Sequence, residues 1–478
     1  MITVRNKNLK QGEIVIDYYI EKFKELKIEK NQTYPHNDIG TARLFFDLHS
    51  NSIRYILEAK TWYVFDGRLW VKDEGAFRVM EMCKVFAQSF AKYAEIINNG
   101  LPESKAHIKY AAGLTGRKRR EGILADARSI QPMSLSAFDQ NKGLFNCLNG
   151  TYSLTKMELI PHDPQNYITK LARVEYVPGA VCERWETFIN EIMCGDKDAA
   201  RFLQKSLAYC LSGGTSLECF FVLYGSKTRN GKSTLTGTIE SIFADYARTI
   251  QPQTLSRRPN DGASPSPDIA RLKGARLVIM PEPEKGLQLN TSLIKQLTGG
   301  DTYTGRFLNE NPIEYRPEFK IFINTNHLPK TEDNTIFTSE RVKLIPFNRH
   351  FLPHEQDTGL KKLFRKSQHK SGILNWLIDG YRLLTDEGLI LPEKVKEAIQ
   401  DYQESTDELG SFFKEALVPN EGFRLKTSDL HSYHCSWTKK NGSMPLSDKA
   451  FMAELRKRFF VKPDYIKGNC VWHYSLKK

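Results

Sequence analysis

FFVLYGSKTRNGKSTLTGTIESIF, residues 220–243, places an apolar strand, a glycine-containing loop, Gly231-Lys232-Ser233-Thr234 and a helix in one unbroken run. That order is what cradling a chain of phosphates requires. Gly225 and Gly231 allow backbone angles that turn successive N–H groups inward, and a helix opening near Lys232 adds the positive end of its dipole. Lys232 is long enough to reach the β- and γ-phosphates of ATP, and the Ser233 hydroxyl is a ligand for Mg2+. The expected nucleotide contacts run from Asn230 to Thr234, with Gly225 a weaker member of the set. Five residues separate Gly225 from Gly231 where the usual loop has four, so the spacing predicts a bulge at the start of the loop.

Two more apolar runs lie downstream. Arg276 to Met280 ends in Pro281-Glu282-Pro283-Glu284, and Phe319 to Asn324 runs into Thr325-Asn326-His327-Leu328-Pro329. Apolar strands alternating with helices predict an α/β fold, a sheet with helices packed on it, whose ligands bind at the carboxyl edge. Glu282, nearer its strand than Glu284, is the candidate to hold the Mg2+ shell or polarise an attacking water. Two exposed loop glutamates are the plainer alternative. Asn326 can orient a water against the γ-phosphate without adding charge, or it is simply a turn-forming Asn ahead of Pro329. Arg341 lies fifteen positions later, just before Leu344-Ile345-Pro346-Phe347. Its permanently charged guanidinium can grip a γ-phosphate bidentately, against the alternative of a surface ion pair with Glu340 or another nearby acid.

The chain has 478 residues, too many for one core, and 40% hydrophobic content with 27 Phe, 20 Tyr and 6 Trp is enough to keep it folded nearly throughout. The pattern divides at 1–125, an α/β unit with an Asp66-Gly67 hairpin turn; 126–200, a collar; 201–392, the phosphate-loop region; and 393–478, a basic tail. A net charge of +13 suits a polyanionic partner, and the tetrabasic run Arg117 to Arg120 is either a solvated helix face or a phosphate-contacting patch. The eight cysteines form no CxxC, so neither a zinc ribbon nor a thioredoxin-type pair is suggested, and the thiols are expected to be reduced core residues. No stretch approaches the ~20 apolar residues of a membrane span, so the expected compartment is cytoplasmic.

FNCLNGTYSLTKMELIPHDPQNYIT, FLQKSLAYCLSG, NGKST, GARLVIMPEPEKG, LIKQLTGGDTYTGR, INTNHLP and SERVKLIPF, in this order over about residues 140–350, resemble the superfamily 3 helicases. The likeness is to the phage and plasmid primase-helicases and the related poxvirus primase-helicase. It implies a hexameric AAA+ ring that moves on single-stranded DNA, usually 3′ to 5′, at replication initiation, with an N-terminal α/β domain and a C-terminal winged-helix domain. It implies Lys232 and Ser233 in the first motif, Glu282 in the second, Asn326 as sensor and Arg341 as the finger reaching a neighbouring subunit's nucleotide. Lys295, Arg306, Phe307 and Arg316 fall in and before a DNA-contacting hairpin. The first 130 residues carry neither a zinc-ligand cluster nor a DxD pair, so priming is expected to fall to a separate primase or other replisome protein. A replication initiator of a mobile genetic island fits the short form.

Two other readings compete. One is an ATP-gated origin-binding protein that never unwinds duplex; the other is an oligomerising NTPase without nucleic acid. The run TYTGRFLNENPIEYRPEF, two strand-like pieces around Asn309 to Pro312, predicts a loop aimed into a ring channel, which a recognition factor does not need. The basic tail, with Arg456-Lys457-Arg458, counts against the second.

Overall fold

Strands buried on both faces read as continuous apolar runs. The computed structural model, which describes residues 9–257, 267–306, 312–331, 333, 335–441 and 444–477, joins five of them into one sheet. From edge to edge the order is Val342–Pro346, Phe220–Tyr224, Lys320–Thr325, Leu277–Met280 and Ala247–Thr249, and every pairing is parallel. Parallel pairing brings all five carboxyl ends to one edge. The phosphate-loop strand is second from one side, flanked by the strands that lead to Asn326 and away from Arg341. The chain is therefore mixed α/β around a parallel sheet.

The two faces of the sheet build separate cores. Phe221, Leu223, Ile279 and Phe322 join one with Leu235 and Ile239 of the phosphate-loop helix and with Trp185, Phe188 and Ile192 of helix Glu183–Ile192. Phe220, Val222, Val278 and Ile323 face the other, with Leu297, Phe337 and Tyr402. The collar is continuous with this body. Its small antiparallel sheet (Leu144–Cys147, Gly150–Ser153, Glu158–Ile160) contributes Phe145 and Tyr152 to the first core. Arg276, buried over the Tyr246 ring at 4.6 Å, donates to the carbonyls of Leu144, at 2.7 Å, and Leu211. Lys320, also buried, donates to Ser212 O at 2.5 Å and stands over Tyr209.

Two expected boundaries fall inside packed structure. A division at 200 cuts helix Lys197–Ala208, whose Phe202 and Leu203 sit in the first core. A division at 392 detaches helix Glu393–Thr406, which places Val395 in the first core and Tyr402 in the second. Periodicity shows that a helix is amphipathic but not which sheet takes its apolar face.

Residues up to about 127 form their own core around Phe23, Phe45, Phe86 and Phe90, with the antiparallel strands Ile53–Ile56, Thr61–Phe65 and Trp70–Asp73. The tetrabasic run opens helix Arg117–Ala127, and three of its cations are used within the unit: Arg117 pairs with Glu121, Arg119 with Asp38, and Arg120 donates to Thr115 O. After Thr406 comes a smaller unit of helices Glu408–Ala416, Thr427–Lys440 and Asp448–Arg458 with an antiparallel sheet of Leu417–Lys426, Gly468–Leu476 and Val461–Asp464, closed around Phe412, Phe413 and Phe451. All eight cysteines are free; Cys194 is exposed and Cys435 partly so, against the expectation of eight core thiols. No described helix is long and apolar enough to cross a membrane.

Candidate functional site

Helix Lys232–Phe243 opens at Gly231, whose φ of 90° only glycine adopts cheaply and which offers no side chain to cap the first turn. A Cβ at Gly231 would also come within 2.5 Å of Ile192 Cγ2, so the loop is pressed against helix Glu183–Ile192. The extra loop residue is taken up late, not beside Gly225: Arg229 holds φ 56°, and the buried Asn230 amide donates back to Lys227 O at 2.7 Å. Gly225 serves this packing instead of lining the cleft, because a Cβ there would lie 2.4 Å from Asn230 Nδ2 and 2.5 Å from Phe347 O.

Parallel register brings the other groups to the same edge. Thr325 pairs with Tyr224, and Gly225 N donates to Thr325 O at 3.2 Å, so Asn326 follows directly beside the loop. Lys232 Nζ donates to Asn326 Oδ1 at 2.7 Å and to Gly225 O at 3.4 Å. Lys232 is 6% exposed, and burial pulls its pKa down to about 8, with the charge of Glu282 acting in the opposite sense. Glu282 follows Met280, which pairs with Ile323, and is exposed to solvent at that edge. Lys232, Ser233, Glu282 and Asn326 thus come from a helix and the ends of two adjacent strands to one place.

A cleft of about 500 Å³ runs from Asn230 to Thr234 to a second wall that the sequence did not single out. Arg184, Phe188 and Glu191 come from helix Glu183–Ile192, and Phe351, Gln356 and Leu360 from the chain after the last sheet strand. Phe188, Phe351 and Leu360 offer apolar surface of the kind that takes a flat ring; Arg184 is neutralised by Glu191 at 3.2 Å. The amphipathic period of Trp185 to Met193 can be read from the chain, but its proximity to the loop is tertiary.

Residues 42–194 match the family described as D5 N terminal like, and residues 223–341 match a family of unknown function (DUF5906). A protein of Acanthamoeba polyphaga mimivirus that carries a helicase name is 26% identical over 417 residues, 80% of this chain and 43% of its own length. Primase D5 of Fowlpox virus is 29% identical over 177 residues, 35% of this chain and 20% of its own. These matches support a primase-helicase family of the phage and poxvirus type. The chain spans less than half the length of these two relatives. Among solved structures, the apo NrS-1 C terminal region (305–718) is similar at 12% identity and a TM-score of 0.48, covering 91% of this chain and 99% of that one.

The remaining candidates lie away from the cleft. Arg341 stands at the amino end of strand Val342–Pro346, whose five residues separate it from the level of Gly225 by about 20 Å along the strand. Its side chain is 16% exposed and bonded to Glu218 Oε2 at 2.6 Å and Thr298 Oγ1 at 3.0 Å. Lys295 is paired with Asp333 at 2.5 Å, and this contact with that of Thr335 holds the Asp333 carboxyl down at about 2, against the effect of its burial. Strands Tyr303–Gly305 and Ile313–Tyr315 form the expected antiparallel hairpin, anchored by Tyr315 OH to Ile269 O at 2.6 Å. Arg306 and Arg316 are exposed at its flanks; Phe307 lies outside the described residues.

Proposed function

We propose that this chain is the ATP-driven motor of a DNA helicase acting at replication initiation, with an AAA+ core of superfamily 3 type, a C-terminal winged-helix unit and a hexameric working form. The observation that carries the reading is the convergence of Lys232, Asn326 and Glu282 at one sheet edge beside the cleft. The helicase names of the relatives supply the class of work. The polyphosphate of ATP lies along 230–234, and its base lies toward Phe188, Phe351 and Leu360. Ser233 and Glu282 are the residues that would hold Mg2+, which neutralises phosphate charge. A γ-phosphate competes with Asn326 for the Lys232 ammonium and thereby frees the Asn326 amide to orient the attacking water, with Glu282 as its base. Arg306 and Arg316 beside the hairpin suit a single strand's phosphates, and the tail with its basic helix end Arg456, Lys457 and Arg458 suits duplex DNA. A 3′ to 5′ direction and a mobile genetic island as source belong to the same reading.

The test is hydrolysis and strand separation on forked duplex DNA with the full chain. DNA-stimulated ATP turnover and unwinding are expected, with both abolished in Lys232→Ala while circular dichroism stays unchanged. Turnover and duplex binding without strand separation would transfer the chain to the origin-binding class, and near-normal turnover in Lys232→Ala would remove the site assignment.

A further inference from the structure

The C-terminal unit holds a group of donor atoms that the nucleotide site does not use. Helix Thr427–Lys440 carries His431, His434 and Cys435 at spacing i, i+3, i+4, which puts the three side chains on one helical face. Their donor atoms all lie within 4.8 Å of one another. Cys435 Sγ is 3.6 Å from His431 Nε2. A tetrahedral zinc, with Zn–S of ~2.3 Å and Zn–N of ~2.0 Å, sets those two atoms about 3.5 Å apart.

Each residue shows a second sign. His434 is 3% exposed, yet its Nδ1 has no hydrogen-bond partner among the described residues, a costly state for a buried polar atom. His431 turns Nε2 toward Cys435 and has Nδ1 3.5 Å from Asp448 Oδ1, at the start of the next helix. Metal-bound imidazoles characteristically hand their second N–H to such a carboxylate. Cys435 is partly exposed, which gives an ion access. Tilted contacts of both rings with Phe451, at 4.9 Å each, account for their burial but leave the His434 nitrogen without a partner among the described residues.

We propose that His431, His434 and Cys435 bind zinc, with Asp448 as the outer carboxylate that orients His431 and a water in the fourth position. Imidazole and thiolate together select zinc over magnesium or calcium. Binding displaces the Cys435 thiol proton, and it replaces the hydrogen bond between His431 Nε2 and Leu446 O, at 2.9 Å, so that the imidazole proton resides on Nδ1 facing Asp448. The ion braces helix Thr427–Lys440 against the segment that opens helix Asp448–Arg458, which stiffens the unit without touching the nucleotide.

Chelator-treated full chain titrated with Co2+, and then with Zn2+, tests this. The expected result is one equivalent bound with a thiolate charge-transfer band and the intense visible bands of four-coordinate Co2+, both bleached by Zn2+. Cys435→Ser, which keeps the side-chain volume, should lose the charge-transfer band, and Asp448→Asn should weaken Zn2+ binding roughly 10- to 100-fold. Cys194→Ser, changing the exposed thiol, should bind as wild type. Co2+ held at the phosphate loop would show no thiolate band, so a failed ATPase site and a failed zinc site are distinguishable. A folded wild type that takes up no Zn2+, or a Co2+ spectrum indifferent to Cys435→Ser, overturns the proposal.

Discussion

Lys232 is a buried cation whose partner in the nucleotide-free chain is a neutral amide, and that arrangement is expected to make the proposed nucleotide binding pH-dependent. Burial lowers its pKa to about 8, whereas a polyphosphate stabilises the charged form. Binding therefore takes up a proton once the pH exceeds about 8. Below that value the lysine is already charged and affinity is full; above it, affinity should fall by roughly tenfold per pH unit. Nucleotide dissociation constants measured from about pH 7 to 9.5 check this, with Lys232→Arg, charged throughout, giving a flatter profile if it binds at all. A wild-type affinity unchanged across that range would mean that the ammonium does not face the phosphates. The residue types at 230–234 could be read from the chain, but the depressed pKa could not, since it depends on how deeply the loop is buried.

Helix Glu393–Thr406 decides where the sheet body ends. Tyr402 is fully buried, meets Phe337 edge-on at 5.0 Å and donates to Pro329 O at 2.7 Å, just past the strand that delivers Asn326. Tyr402→Ala should cost about 3–5 kcal/mol, and Tyr402→Phe about 1–3 kcal/mol through the orphaned Pro329 carbonyl. Urea unfolding measures both. Removing residues 407–478 should leave the sheet body folded and ATP-competent while duplex affinity falls, whereas cutting before 393 should unfold it. Equal stability of the two truncations would return the boundary to 392. The sequence reading left this helix inside the basic tail that starts at 393, because Val395 and Tyr402 are apolar positions that any adjacent core would accept.

At the scale of the molecule, the position of Arg341 makes assembly the question. In one chain it lies about 20 Å along the strand from the level of Gly225, held by Glu218 and Thr298, so contact with a γ-phosphate requires a second subunit. An arginine finger is worth ~10³ to 10⁵ in rate, whereas a pair like that with Glu218 contributes about 1 kcal/mol or less. Arg341→Ala should therefore reduce ATP turnover by orders of magnitude with little loss of stability. Mixing it with Lys232→Ala protein should restore part of the activity, through sites that combine one chain's loop with another's arginine. No recovery in confirmed mixed assemblies would leave Arg341 with its Glu218 pairing alone.

The order strand, loop, GKST, helix, followed by apolar strands ending at Glu282 and Asn326, determined by itself an α/β sheet with its chemistry at the carboxyl edge, because phosphate binding and parallel pairing each demand a local pattern that short segments display. Tertiary structure alone decided what surrounds that edge. Strand order seated Asn326 against Lys232, helix Glu183–Ile192 and residues 351–360 closed the cleft, and Arg341 came to rest at the far end of the sheet. It also gathered His431, His434 and Cys435 with Asp448. Distances between residues far apart in the chain are set by which apolar faces share a core, and no single stretch of sequence encodes that choice.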